Sequence, residues 1–118
     1  MTKKIIIAED DEDLVLLYQR FFGNYDVEVD SVSDGKSLVE MVKGGGYSLV
    51  LTDNGMPFME GMDAIREIRT FDPKVPIYMV SGNRDAESKA LTLGATGFIY
   101  KPDFSKYVID KVLKCIFS

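Results

Sequence analysis

The chain has 118 residues, 46% hydrophobic and 28% charged; that is enough apolar material for one folded core, too much for disorder, and fewer than the ~150 residues that serve as a prior for one domain, so a second is not expected. It has no histidine and one cysteine, Cys115, which excludes a Ser-His-Asp triad, an HExxH zinc site, a phosphohistidine on this chain and an internal disulfide. Its net charge of −5, from 14 basic and 19 acidic residues, disfavours nucleic acid and anionic membrane surfaces and points to a protein or a cation as partner.

The longest purely apolar runs, Ile5 to Ala8 and Leu14 to Leu17, have four residues, against the ~18 of a membrane span and the ~7 or more of a secretory core. No membrane partner and a cytoplasmic location are expected. Along the chain, apolar runs of strand length alternate with segments of helical periodicity, five times over. The first strand, Ile5 to Ala8, lacks polar alternation, as a central parallel strand covered on both faces should. Leu14, Leu17, Tyr18 and Phe21 mark the face of a first helix that stops at Gly23. Val27 to Asp30 alternates and reads as an edge strand. Leu38, Met41 and Val42 belong to a second helix ending at Gly44, and Leu49 to Leu51 is the third strand. Met62, Ile65 and Ile68 form the stripe of a third helix; Ile77 to Val80 and Phe98 to Tyr100 are the fourth and fifth strands. A weakly amphipathic helix from about Asp85 to Leu93 lies between them, and a fifth helix carries Phe104, Val108, Val112 and Cys115 on one side.

This pattern predicts an α/β fold of three layers: a doubly wound, five-stranded parallel sheet of order 2-1-3-4-5, flavodoxin-like, with residues 1–118 as one domain. Its fifth helix is expected to end near Ser118, with no output domain following. In such a sheet functional groups collect beyond the carboxyl ends of strands one and three. Glu9 and Asp10 follow the first strand, Asp53 the third, Ser81 the fourth and Lys101 the fifth. Asp11, Glu12 and Asp13 read as acids easing a helix N-terminus, worth about 0.3–1 kcal/mol each. Glu9, Asp10 and Asp53 instead bring three carboxylates to one point, where they repel unless a hard cation separates them; oxygen ligands of this kind suit Mg²⁺ or Mn²⁺. A nucleophilic carboxylate, a divalent cation, a lysine and a hydroxyl together supply what a phosphoryl group needs: an attacking oxygen, and positive or donor groups around its equatorial oxygens.

These residues, with Asp53-Asn54-Gly55-Met56-Pro57, Met59, Gly61 and the run Gly97 to Pro102, closely resemble the receiver domain of two-component response regulators, the CheY-like superfamily, over essentially the whole chain. The resemblance implies that Asp53 is the phosphoacceptor, and that Asp10, Asp53 and the Gly55 carbonyl ligate Mg²⁺ directly while Glu9 holds it largely through water. It further implies that Lys101 pairs with the phosphoryl group, that Ser81 hydrogen-bonds it and moves on activation, that Phe98 is the aromatic switch, and that the Lys101–Pro102 peptide is cis. The implied partners are a sensor histidine kinase or phosphotransfer protein as donor, and a downstream protein at the face of helix four, strand five and helix five, with the chain a monomer or a dimer on phosphorylation. Beyond phosphorylating and dephosphorylating itself it would turn over no substrate. Three positions depart from the family pattern: Gly82 in place of alanine, which would loosen its loop; Asp103 in place of an apolar residue, with Phe104 taking over its packing; and Gly55, without a side chain beside Asp53.

Two other readings compete. A haloacid-dehalogenase-like phosphatase also uses an aspartate nucleophile, but it needs a second aspartate where this chain has Gly55, and its acidic pair comes late. A flavodoxin-like flavin binder is disfavoured by the five consecutive acids after the first strand, which would repel a flavin phosphate. The GKS ending at Gly35-Lys36-Ser37 is not a phosphate-binding loop, because the earlier glycine position holds Asp30; Val32 likewise breaks an EF-hand reading of Asp30 to Gly35.

Overall fold

The computed structural model describes residues 2–117. Five strands, β1 (Lys3–Ala8), β2 (Val27–Val32), β3 (Tyr47–Thr52), β4 (Ile77–Ser81) and β5 (Gly97–Tyr100), alternate with five helices, α1 (Glu12–Phe22), α2 (Gly35–Lys43), α3 (Gly61–Phe71), α4 (Ala86–Leu93) and α5 (Lys106–Phe117). The strands form one parallel sheet in the expected order β2-β1-β3-β4-β5. The end of the fifth helix expected near Ser118 lies outside the described residues.

Side chains alternate across β1 and β3 and divide the core in two. Ile6, Ala8 and Val50 face α2, α3 and α4, meeting Leu38, Val42, Ile65, Ile68 and Ala90. Ile5, Ile7, Leu49 and Leu51 face α1 and α5, meeting Tyr18, Phe22, Ile109, Val112 and Leu113. The stripe expected on α3 is buried as read, whereas three others are rotated. In α1 the buried residues are Tyr18 and Phe22, with Leu17 exposed; in α2 Val39 is buried and Met41 exposed. In α5 Ile109, Val112 and Leu113 are buried, Val108 is half-buried, Cys115 is exposed and Phe104 precedes the helix. Where neighbouring positions are all apolar, periodicity identifies a helix but leaves its phase open; the sheet face it covers decides that.

Local chemistry sets the helix starts. Asp11 caps α1, its Oδ1 accepting from the Asp13 and Leu14 N–H groups at 3.0 and 3.4 Å, so the acids after Asp10 do serve the helix N-terminus. Asp34 caps α2 by accepting from the Ser37 N–H at 2.7 Å and the Ser37 hydroxyl at 2.9 Å, which is the role of the GKS-like segment. At the far end of the sheet Arg69 Nε donates to the Gly94 carbonyl (2.8 Å) and its Nη1 to the Asp72 carbonyl (3.1 Å), tying α3 to the α4–β5 turn.

Two glycines allow backbone segments to touch. A Cβ on Gly61 would lie 2.1 Å from the Asp53 carbonyl oxygen, and one on Gly35 would lie 2.2 Å from that of Met59. Around Gly55 and Gly82 the same atom would meet nothing within 4 Å. Gly61→Ala is therefore expected to lose about 1–3 kcal/mol through forced backbone displacement, while Gly82→Ala gains about 0.4–1 kcal/mol by restricting the unfolded chain. Urea denaturation midpoints of the two variants check the opposite signs.

Candidate functional site

The parallel register of β1 and β3 pairs Ala8 with Thr52, so the residues that follow them emerge side by side. The Asp53 N–H donates to the Ala8 carbonyl at 2.9 Å, and the Glu9 N–H to the Val32 carbonyl at 3.0 Å. As a result carboxylate oxygens of Glu9, Asp10 and Asp53 lie within 4.8 Å of one another. Lys101, just beyond β5, reaches across β4 and places Nζ 3.4 Å from Asp53 Oδ1 and 3.6 Å from Glu9 Oε2. Ser81, the last residue of β4, is buried, and its Oγ accepts from the Asn83 N–H at 3.1 Å. A hydroxyl used only as an acceptor keeps its proton to donate elsewhere.

Glu9 is the anomalous member. It is only 3% exposed, and while its Oε1 accepts from the Asp11 N–H at 3.2 Å, its Oε2 has no hydrogen-bond partner. Burial above all, and then the nearby Asp53 charge, push its pKa up to about 7, against the lowering pull of the Asp11 N–H and Lys101. One lysine facing three carboxylates leaves net negative charge, and a buried carboxylate oxygen without a donor wants a proton or a cation. These oxygen donors fit Mg²⁺.

Several supports were not legible in the sequence. Asn54 Oδ1 accepts from the Met62 N–H at 3.1 Å and its carbonyl from the Gly61 N–H at 3.0 Å, so the residue after Asp53 anchors the start of α3. Arg84 stacks on the Tyr100 ring, 4.3 Å from its centroid, and its Nη2 lies 3.5 Å from Asp103 Oδ2. That bridge gives Asp103 a role and ties the loop after Ser81 to the turn after Lys101. Within the loop containing Gly82, Asn83 Oδ1 also accepts from the Asp85 N–H at 3.0 Å. Phe104 takes the packing position as expected, with its ring 4.6 Å from that of Tyr18 and 5.8 Å from that of Phe21. Phe98 packs half-buried against the core beneath α4. One expectation fails: among the described residues no peptide bond is cis. Pro102 stands first among the central residues of a turn closed by the Phe104 N–H on the Lys101 carbonyl at 3.0 Å, a position suited to a trans proline with φ near −65°.

The model of the response regulator receiver domain family matches residues 5–113. The autoinducer 2 sensor kinase/phosphatase LuxQ of Vibrio vulnificus is 32% identical over 93% of this chain, and the chain spans only 13% of its length. The chemotaxis protein CheY of Halobacterium salinarum is 31% identical, with 95% of each chain covered. The receiver domain of the sensor histidine kinase PA1611 of Pseudomonas aeruginosa, solved with a magnesium ion coordinated in its active site cleft, superposes with a TM-score of 0.90 over the whole of both chains at 24% identity.

The raised pKa of Glu9 fixes the sign of a pH effect in metal-free protein. The folded state holds this proton more tightly than the unfolded chain, so the stabilisation is complete below pH 4.5 and is lost as pH rises toward about 7. Between pH 5 and 8 in chelator, wild type is expected to lose stability relative to Glu9→Gln, by a few kcal/mol at most, read from urea midpoints of the two proteins at each pH.

Proposed function

The chain belongs to the response regulator receiver domain family, and from that premise we propose that it is a phosphoacceptor domain whose acceptor is Asp53. The observation that carries this reading is Lys101 Nζ held 3.4 Å from an Asp53 carboxylate oxygen inside a cluster of acids. The rival phosphatase reading has no support beside it, since Gly55 stands where that chemistry needs its second aspartate.

An Asp53 carboxylate oxygen attacks the phosphorus of a phosphohistidine on a sensor kinase or phosphotransfer protein. The P–N bond breaks, and its electron pair leaves on the imidazole, which takes up a proton. Lys101 offers its charge to one phosphoryl oxygen and Ser81 its unused hydroxyl proton to another. Asp10, Asp53 and the Gly55 carbonyl would hold Mg²⁺, or Mn²⁺ in its place, with Glu9 acting largely through water; the ion supplies charge neutralisation for the acids and the incoming phosphoryl oxygens. The likeness to a fold neighbour with magnesium in its cleft supports this assignment. In the dephosphorylation step water attacks phosphorus in line, the bond to Asp53 breaks and phosphate leaves, with no separate substrate turned over.

Ser81 and Phe98 form the switch. Ser81 lies at the site, and Phe98 lies on β5 beneath α4, so a change at the first alters the packing of the second. The readout is a downstream protein bound at the face of α4, β5 and α5, where Arg84, Tyr100, Asp103 and the exposed Tyr107 lie. The domain works as a monomer, or as a dimer on phosphorylation. No described helix is long and apolar enough to cross a membrane, which agrees with work in the cytoplasm.

Acetyl phosphate with Mg²⁺ is expected to add one phosphoryl mass, absent in Asp53→Asn; a shift surviving that substitution refutes the assignment. Asp10→Ala is expected to weaken Mg²⁺ binding at least ten-fold, about 1.4 kcal/mol, and Asp13→Ala hardly at all; titration calorimetry reads both. Because a side chain at Gly55 meets open space, Gly55→Met is expected to cover the approach of water and slow loss of the phosphoryl group, with Mg²⁺ affinity nearly unchanged. Decay after donor removal in saturating Mg²⁺ measures it, and equal or faster decay would show that Gly55 only turns the chain.

A further inference from the structure

Phe58, five residues after Asp53, is 91% exposed and has φ of +65°, the only non-glycine residue with positive φ among the described residues. Its neighbours close a three-residue turn, the Met59 N–H donating to the Pro57 carbonyl at 2.7 Å. A γ-turn with positive φ at its centre is strained, and a bulky aromatic is among the residues least suited to it. A single exposed apolar side chain needs no explanation. Here the exposure of a large ring coincides with backbone strain that glycine or asparagine at the same position would avoid.

The turn is also rigidly mounted. Met56 is buried before it, Met59 packs half-buried after it, and the Met59 carbonyl accepts from the Gly35 N–H at 3.0 Å, against a glycine that admits no side chain. The ring is therefore presented to solvent from fixed backbone, which lowers the entropy cost of using it as an anchor. Beyond the β2–α2 loop that holds the turn lies a cleft of about 440 Å³ lined by Asp10, Leu16, Val32 and Ser33 among others. Glu9 and Glu12 line the same cleft, and Glu60 follows the turn in the chain.

We propose that Phe58 is a specificity anchor for the phosphoryl donor, seating in an apolar pocket flanked by basic side chains on the protein that carries the phosphohistidine. This rests on Asp53 being the acceptor. Any protein that presents a phosphoryl group to Asp53 must lie against the loop that runs from Asp53 to Phe58. The acidic rim selects a basic surface, and a rigid aromatic at the centre of a contact is the kind of residue that dominates binding energy. A downstream partner at the α4, β5 and α5 face would be served by other elements of the sheet.

The test takes, from the source organism's autophosphorylated sensor kinases and phosphotransfer proteins, the one that transfers fastest to the wild-type chain. Transfer kinetics from that donor and from acetyl phosphate are then compared for wild type, Phe58→Asn and Phe58→Tyr, together with Tm. Phe58→Asn is expected to raise KM for the protein donor roughly ten-fold with kcat kept, to leave the acetyl phosphate rate unchanged, and to hold or raise Tm because asparagine tolerates positive φ. Phe58→Tyr is expected to restore the wild-type KM. An unchanged KM in Phe58→Asn, a Phe58→Tyr as poor as Phe58→Asn, or a loss confined to binding of a downstream protein would overturn the proposal. Failure of acetyl phosphate to label wild-type Asp53 would overturn the acceptor reading itself and this proposal with it, whereas normal labelling with unchanged donor KM overturns this proposal alone.

Discussion

Repulsion among Glu9, Asp10 and Asp53 is the constraint around which the rest of the molecule is arranged. Parallel pairing of β1 with β3 forces the three carboxylates within 4.8 Å of one another, and a single lysine from beyond β5 faces them. The site is therefore electrostatically incomplete as folded. Glu9 bears the consequence: it is buried with an oxygen that nothing donates to, and burial raises its proton affinity. A site that costs folding energy for want of positive charge gains most from a hard cation, which in the proposed reading would also offset the charge of a phosphoryl group on Asp53.

The backbone around that pocket is tight where position matters and open where a ligand must enter. Gly61 lets α3 begin against the carbonyl of Asp53, Asn54 takes two N–H groups from the start of that helix, and Gly35 lets α2 touch the turn at Met59. These contacts hold the loop after Asp53 from three sides. By contrast Gly55 and Gly82 leave open space, and neither has the positive φ that would require glycine. Across the sheet Arg84 contacts Tyr100 and Asp103, linking the loop that holds Gly82 to the turn after Lys101. Both groups of the ion pair are largely exposed, so water screens it and it adds little stability by itself.

In the proposed reading, the phosphoryl donor and the downstream protein meet different sides of Asp53. The β1, β2 and β3 side carries acids, the cleft beside Leu16 and the rigid turn at Phe58. The α4, β5 and α5 side carries Arg84, Tyr100 and Tyr107.

The alternation of apolar runs and helical stripes determined the fold class, the strand order and the ends of the strands, because a parallel sheet covered on both faces leaves a nearly continuous apolar signature in its central strands. With the strand ends came Glu9, Asp10, Asp53, Ser81 and Lys101, since residues that follow parallel strands share one edge of the sheet. Helix phase in α1, α2 and α5 was not legible, because adjacent apolar residues fit more than one face and only the opposing sheet selects among them. Nor were the trans Lys101–Pro102 peptide, the bridge from Arg84 to Asp103, the anchoring role of Asn54 or the positive φ of Phe58. Each depends on contacts between segments far apart in the chain, or on a turn held by such contacts. Local sequence can name the residues that line a strand end; only the packed chain decides which of their atoms are left without a hydrogen bond.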